Sequence, residues 1–443
     1  MKITLAGIGI KSGDISLAAL EEAKSGKKVF LRTALSESGK SIASLGVEAE
    51  SFDKFYLNSK NFDTLSLKIA NAVLKEAKER EVVYLVDGDV TEDVSCKIII
   101  DKRKGKDVEI INGVSRANFC AGKVGIGGNF LKASAYDIAD LKLTLPLVIT
   151  DIDNSFVACE VKLAVSDAFG DEIPCYKFVN GTFKKLKLYE FDFENDFDYS
   201  SALVIPPLDF LHKERFDFKD LVDIVTALRA ENGCPWDKAQ TKESVRLNLV
   251  EETYELIDAI DRSDDEGILE EVGDVLLQAV FQIVFARERG AFDYADAVSG
   301  ICEKLISRHT HVFGNDKAEN ASDALSVWDK NKRIEKDYKN KAEYVSSVPK
   351  SLPSLLRAQK VLKRAAKCGF KNKTFDEISK EISAILEELK SGSKNIDETS
   401  GKLLISVVNL LKSFGVESEQ ALSDATEKFI KEFAADSAAE GKI

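Results

Sequence analysis

Histidine is nearly absent from this chain, with three residues in 443, at 212, 309 and 311. His309 and His311 stand two apart, which puts them on different faces of a helix, so they read as a structural turn and not as a metal pair. The seven cysteines are scattered and odd in number, and none forms a CxxC pair. They read as reduced core residues and not as a disulfide framework. No apolar run is long enough to span a bilayer, and the start at Met1-Lys2 enters an apolar stretch without a signal-peptide pattern. The expectation is a cytoplasmic protein with no membrane partner. Positive charge is in deficit, with 62 Lys and Arg against 75 Asp and Glu and a net charge of -13. That balance argues against nucleic acid as a partner. An anionic small substrate stays open, because a bound cation reverses the local sign. What is present, 44% hydrophobic and 31% charged residues, suits a soluble globular chain of two or three domains.

The first part alternates short β-branched runs with helical stretches. Ile3 to Ile8, Val82 to Val86, Val108 to Ile111 and Leu145 to Thr150 read as buried strands, with helices such as Phe62 to Lys78 between them. This α/β region closes near Leu203 to Leu208, where Pro206-Pro207 stops a last strand. From Phe216 the period becomes helical, with proline only at 235, 349 and 353. The spacing predicts an α/β domain over 1–213, an all-α domain over 217–345 and a third helical unit over 346–443. Trp328 to Glu343, dense in charge, reads as a solvated helix or linker. The third unit is a weak repeat of the second. Gly401-Lys402-Leu403-Leu404-Ile405 follows Gly273-Asp274-Val275-Leu276-Leu277, but Lys402 stands where Asp274 stands and Glu432 where Arg308 stands. A lysine would repel an ion that Asp274 attracts, so the repeat reads as a structural partner with no site of its own.

Five carboxylates carry the most chemistry: Glu251, Glu252 and Glu255 on one predicted helix, Glu271 and Asp274 on the next. Positions i, i+3 and i+4 share a helix face, so Glu252 joins Glu255, Glu251 joins Glu255, and Glu271 joins Asp274. The polar break Asp261 to Asp265, with Ser263 and Glu266 spaced as a capping box, makes the pair an αα-hairpin. Glu255 and Glu271 are equidistant from Ser263, and so are Glu252 and Asp274. Four carboxylates then converge roughly 12 to 16 Å from the turn. Unpaired, they would repel or protonate. A divalent cation resolves the conflict, and an oxygen-only donor set favours Mg²⁺ or Mn²⁺. The alternative is a solvated acidic face, which the apolar run Ile268 to Phe285 opposes by implying a largely buried setting. On the next helix, expected to start after an N-cap at Asp293, Lys304 and Arg308 share a face and suit a polyphosphate, with surface cations as the alternative. Trp328, one turn before Lys332, reads as a base-stacking residue or as core.

In order and spacing, Gly233-Cys234-Pro235-Trp236-Asp237 with Gln240-Thr241, the EExxE and ExxD pair, Lys304 to Phe313 and Trp328 to Lys332 resemble the MazG nucleoside triphosphate pyrophosphohydrolases. The resemblance covers about residues 218 to 370. It implies an all-α fold, Mg²⁺ ligands at Glu252, Glu255, Glu271 and Asp274, and Glu251 as a further ligand or water-positioning base. It implies nucleotide contacts at Lys304, Arg308, Trp328 and Lys332, and the reaction NTP plus water to NMP plus diphosphate. Thr310 departs from the proline usual in that family.

The loop Gly7 to Asp14 fails the GxGxxG pattern at Ser12. With Val86-Asp87-Gly88-Asp89-Val90 and Ile111-Asn112-Gly113-Val114-Ser115, residues 1 to 210 resemble the tetrapyrrole methylases, and the whole chain resembles a YabN-type fusion of the two families. That implies S-adenosylmethionine bound between two α/β subdomains, with Gly88, Asp89 and Ser115 at cofactor-binding positions. The prolines of the family loops are missing, which removes their rigidity. A regulatory or scaffolding module is the competing expectation for this domain. For the chain the expectations are an Mg²⁺-dependent hydrolase of nucleoside triphosphates, a bifunctional enzyme that also methylates, or a nucleotide sensor without turnover. Helical hairpins of this kind also bury apolar faces by pairing, within a chain or as a homodimer.

Overall fold

A computed structural model describes residues 1–440 other than 60, 61, 105, 180, 199, 337–339 and 393. The β-branched runs of the first part become ten strands: β1 (Ile3–Gly7), β2 (Lys28–Leu31), β3 (Glu50–Ser51), β4 (Val82–Val86), β5 (Val108–Ile111), β6 (Leu131–Ser134), β7 (Leu147–Thr150), β8 (Pro174–Val179), β9 (Thr182–Lys187) and β10 (Ala202–Ile205). The first five form a parallel sheet in the order β3-β2-β4-β1-β5. Parallel strands joined by helices bury both faces. Ile3, Leu5, Tyr84 and Val86 pack on one side against Leu65, Ile69 and Val73 of helix Phe62–Glu76. Ala6, Ile8, Val83 and Leu85 pack on the other against Ala19 and Ile42. Each valine, leucine or isoleucine among them contributes roughly 1.5–3 kcal/mol by leaving water.

The second sheet runs β6-β7-β10-β8-β9, with β6 and β7 parallel and the other pairs antiparallel. Leu147, Ile149, Leu203 and Ile205 face one core, Val148 and Val204 the other. β10 ends at Ile205, just before Pro206-Pro207, because proline cannot donate to the ladder.

Three loops close against one another at the carboxyl ends of β1, β4 and β5. Gly9 and Gly88 exchange N–H···O bonds of 3.1 and 2.8 Å. A Cβ on Gly113 would lie 2.2 Å from the Gly88 carbonyl oxygen and 2.7 Å from the Gly7 carbonyl carbon, so only glycine fits. The loop after β1, which lacks proline, is held by Asp14, whose Oδ2 accepts from the amides of Ile10 and Lys11 at 3.0 and 2.8 Å.

Compactness divides the chain between Glu288 and Arg289. The first unit carries the two sheets and the helices Phe218–Arg229, Pro235–Ala239, Arg246–Asp261 and Asp265–Glu288. The second carries Tyr294–Arg308, Thr310–Phe313, Ala321–Lys336, Lys341–Ser346 and the four helices of the repeat. The charged stretch from Trp328 is helical to Lys336, and its residues 337–339 lie outside the described residues. In the repeat, Lys402 pairs with Glu398 at 2.7 Å, an ion pair within one helix face.

Gly113→Ala is expected to lower stability by about 1–3 kcal/mol, because backbone must move to admit the methyl. Gly122→Ala, on a helix with nothing within 4 Å of the new carbon, should instead gain about 0.5–1 kcal/mol. Urea denaturation of both variants checks this, and equal effects would refute the loop packing.

Candidate functional site

The hairpin predicted from the acid spacing is formed by the helices Arg246–Asp261 and Asp265–Glu288. Its turn differs from the expected capping box. Ser263 takes the left-handed conformation, with φ of 55°, and ends the first helix, so its hydroxyl sits one residue too early to cap the second. Asp264 caps instead, its Oδ1 accepting from the Gly267 amide at 3.1 Å.

Glu252, Glu255 and Glu271 each place one carboxylate oxygen within 4.8 Å of the other two. Among the described residues this is the one such group of three or more His, Cys, Asp or Glu side chains. Partial burial pushes the Glu252 carboxyl above its ordinary range, and the charges of Asp274 and Glu255 push it further. Glu271 is raised in the same way, by burial and then by Glu255 and Glu270. Its Oε2 is buried without a hydrogen-bond donor. Gln278, 5% exposed, approaches Glu252 Oε1 with its Nε2 at 3.5 Å, while its own Oε1 is buried without a donor. Acceptors without donors, set among like charges, are satisfied together by a cation, and an all-oxygen set fits a hard divalent ion.

Two expected members stand apart. Asp274 is half-buried and raises both Glu252 and Glu271, but lies outside the close triplet. Glu251 is exposed on the flank and acts on Glu252 only weakly. The largely buried setting expected from Ile268 to Phe285 is corrected. Burial is confined to the stretch from Gln278 onward, while Leu269, Val272 and Leu276 are exposed.

The Gly233 to Gln240 segment is fastened to the hairpin. Arg229 donates to the carbonyls of Asp237 and Gln240, forks onto Glu288 at 2.7 and 2.9 Å, and lies over the Phe285 ring at 4.4 Å. A Cβ on Gly233 would fall 2.2 Å from the Leu228 carbonyl oxygen, which explains glycine there.

In the second unit Asp293 caps helix Tyr294–Arg308 as expected. Lys304 is exposed, whereas Arg308 and Lys332 both lie at the Trp328 ring, 5.3 and 4.4 Å from its centroid. His309 joins this helix to the short helix Thr310–Phe313, its Nδ1 2.7 Å from the Leu305 carbonyl oxygen, and His311 lies within that short helix and not in the expected turn.

The expected cofactor positions of the α/β part are turned inward. Asp89 accepts from Thr91 and, at 3.0 Å, from the Gly113 amide, and Ser115 donates to Glu92 while capping its own helix. Gly88 is bridged to Gly9. Asp87 is half-buried and accepts from the hydroxyls of Ser36 and Ser38, and desolvation raises its carboxyl.

Sequence reasoning missed Gln278, Arg229 and Glu335. Gln278 was findable, four residues after Asp274 on the same face. The other two act across helices far apart in sequence. No helix among the described residues is long and apolar enough to cross a membrane.

A family model of the MazG nucleotide pyrophosphohydrolase domain matches residues 240–313. The nucleoside triphosphate pyrophosphohydrolase of Escherichia coli (strain K12) is 40% identical over 221 residues, 48% of this chain and 84% of that protein. The uncharacterized protein YabN of Bacillus subtilis (strain 168) is 29% identical over 403 residues, 86% of this chain and 82% of that protein. Among solved structures, uroporphyrin-III-C-methyltransferase from Thermus thermophilus is 19% identical with a TM-score of 0.35, covering 47% of this chain and 98% of that one. By its extended identity to the Escherichia coli protein, this chain belongs to the MazG nucleoside triphosphate pyrophosphohydrolase family.

Proposed function

We propose that the chain hydrolyses nucleoside triphosphates to the monophosphate and diphosphate with Mg²⁺ or Mn²⁺, through an active centre within residues 217–345. The observation that carries this reading is the convergence of Glu252, Glu255 and Glu271 within 4.8 Å, with a Glu271 oxygen buried and without a donor. These three would hold the ion, with Asp274 as the fourth carboxylate beside them. When bound, the ion would neutralise the triphosphate and lower the pKa of a water. The chain's own groups do the rest. Gln278 steadies Glu252 from the second helix, and Arg229 ties the Gly233 to Gln240 segment to the hairpin. Glu251, exposed on the flank, is the group proposed to orient water through its carboxylate oxygens. Lys304, Lys332 and Trp328 match nucleotide-contacting positions of the family by resemblance, the lysines suiting phosphate oxygens and the tryptophan a base. Water adds to the α-phosphorus and gives up a proton to solvent, the bond from that phosphorus to the bridging oxygen breaks, and the nucleoside monophosphate and diphosphate result. S-adenosylmethionine has no step in this scheme, because the polar groups of Asp89 and Ser115 are spent on neighbouring loops.

Glu255→Gln and Asp274→Asn should each reduce Mg²⁺-dependent diphosphate release by about 10–100-fold or more with the circular dichroism unchanged. Full activity in either would remove the metal-site reading, and phosphate as the sole inorganic product would overturn the reaction class.

We further propose a homodimer. Leu247, Val250, Tyr254 and Ile257 form one stripe on the first acidic helix and are all exposed, from 40% for Ile257 to 63% for Leu247. Sedimentation equilibrium should give twice the chain mass, reduced to one chain by Leu247→Glu with Tyr254→Glu. A monomeric wild type would dispose of the pairing.

A further inference from the structure

The second acidic helix carries one more polar side chain on the face of its acids. Glu271, Asp274 and Gln278 stand at i, i+3 and i+7, which aligns them along one side of a helix. Gln278 is buried, whereas the two acids are only half-buried. An amide nitrogen donates and its oxygen accepts. The carboxylate facing it, Glu252 Oε1 at 3.5 Å, fixes which end is which, with Nε2 toward Glu252 and Oε1 in the other position. That Oε1 is buried with no donor among the described residues, as is Glu271 Oε2 two turns earlier.

A glutamine that serves only packing has both ends paired. Gln359 of the repeat shows this: its Nε2 donates to the Val416 carbonyl at 2.9 Å, and its Oε1 accepts from the Ser418 amide and hydroxyl at 2.8 and 2.7 Å. The repeat also shows what stands at the Gln278 position once the acids are gone. In the register that aligns Gly401 with Gly273, Lys402 replaces Asp274 and Ser406 replaces Gln278. Ser406 is just as buried. The burial is kept, and the amide is lost together with the acids.

A free acceptor beside a divalent-ion site suits a water on the ion. The oxygen and nitrogen of an amide are about 2.3 Å apart, which keeps Oε1 within about 6 Å of Glu252 Oε1. A water about 2.1 Å from Mg²⁺ reaches an acceptor about 2.8 Å beyond it, so that span suits an amide one water removed from the ion. Mg²⁺ dehydrates reluctantly and usually keeps several waters. We propose that Gln278 is a positioning residue whose Oε1 accepts a hydrogen bond from a water on the ion held by Glu252, Glu255 and Glu271, and so fixes the direction of that water. The proposal rests on the metal reading of the acidic hairpin.

Two substitutions in the full-length protein separate the ends of the amide. Gln278→Met keeps the length and removes both donor and acceptor, while Gln278→Glu keeps an oxygen acceptor and removes the donor. Calorimetry with Mn²⁺ should give a Kd raised about tenfold by Gln278→Met, and one no weaker than wild type for Gln278→Glu. Without metal, the urea midpoint of Gln278→Met should equal or exceed that of wild type, because a buried acceptor without a donor is removed. Gln278→Glu adds a charge to the acids, so its metal-free midpoint should fall and saturating Mn²⁺ should raise it by more than it raises wild type. Equal weakening of Mn²⁺ binding in both variants would make donation to Glu252 the whole role of the amide and overturn the proposal. A lower metal-free midpoint in Gln278→Met would mark a paired structural amide and overturn it too. Saturable wild-type binding that Gln278→Met leaves unchanged would remove this proposal alone, whereas a wild type that binds no Mn²⁺ would remove the metal reading and the proposal with it.

Discussion

The repulsion among Glu252, Glu255, Glu271 and Asp274 is the constraint around which the helical hairpin is arranged, because no described cation pairs with the three closest of them. A chain that needed only stability would place lysines opposite these acids, as its own repeat does with Lys402 beside Glu398. In the first hairpin the raised carboxyls of Glu252 and Glu271, the orphaned Glu271 oxygen and the donorless Gln278 oxygen all signal the same unmet need for positive charge. The site is therefore held in readiness at a cost to the free protein.

The surroundings keep that arrangement rigid. The turn is fixed by Ser263 in a left-handed conformation and by the Asp264 cap, which sets how the two helices face each other. Arg229 binds the preceding loop to the far end of the second acidic helix through Glu288 and Phe285. In the second unit Arg308 shows the same geometry, a guanidinium forked onto a glutamate and laid over a ring. In both places arginine supplies geometry more than net charge, which lysine would not do.

Much of this was legible in the residues. The i, i+3 spacing of the acids gave the hairpin and its shared face, and the strands β1, β4, β5 and β7 fall where β-branched runs predicted them. What escaped was tertiary. Ser263 and Asp264 are both good capping residues, and only the backbone conformation of the turn decides between them. The apolar run after Ile268 could not tell a buried face from one left exposed, as Leu269 and Leu276 are. The contacts Arg308–Glu335 and Arg229–Glu288 join residues with no periodic relation. The mixed second sheet depends on pairing β10 between β7 and β8, which no local pattern encodes.

The account's central claim, that the acidic hairpin is a divalent cation site, is tested most directly by calorimetry of Mn²⁺ with the full chain. Protons compete with the ion for carboxyls of raised pKa, so binding should be saturable, tighten from about pH 5 to about pH 7 and vanish in Glu271→Gln. Binding that is absent, independent of pH, or undiminished in Glu271→Gln would contradict it.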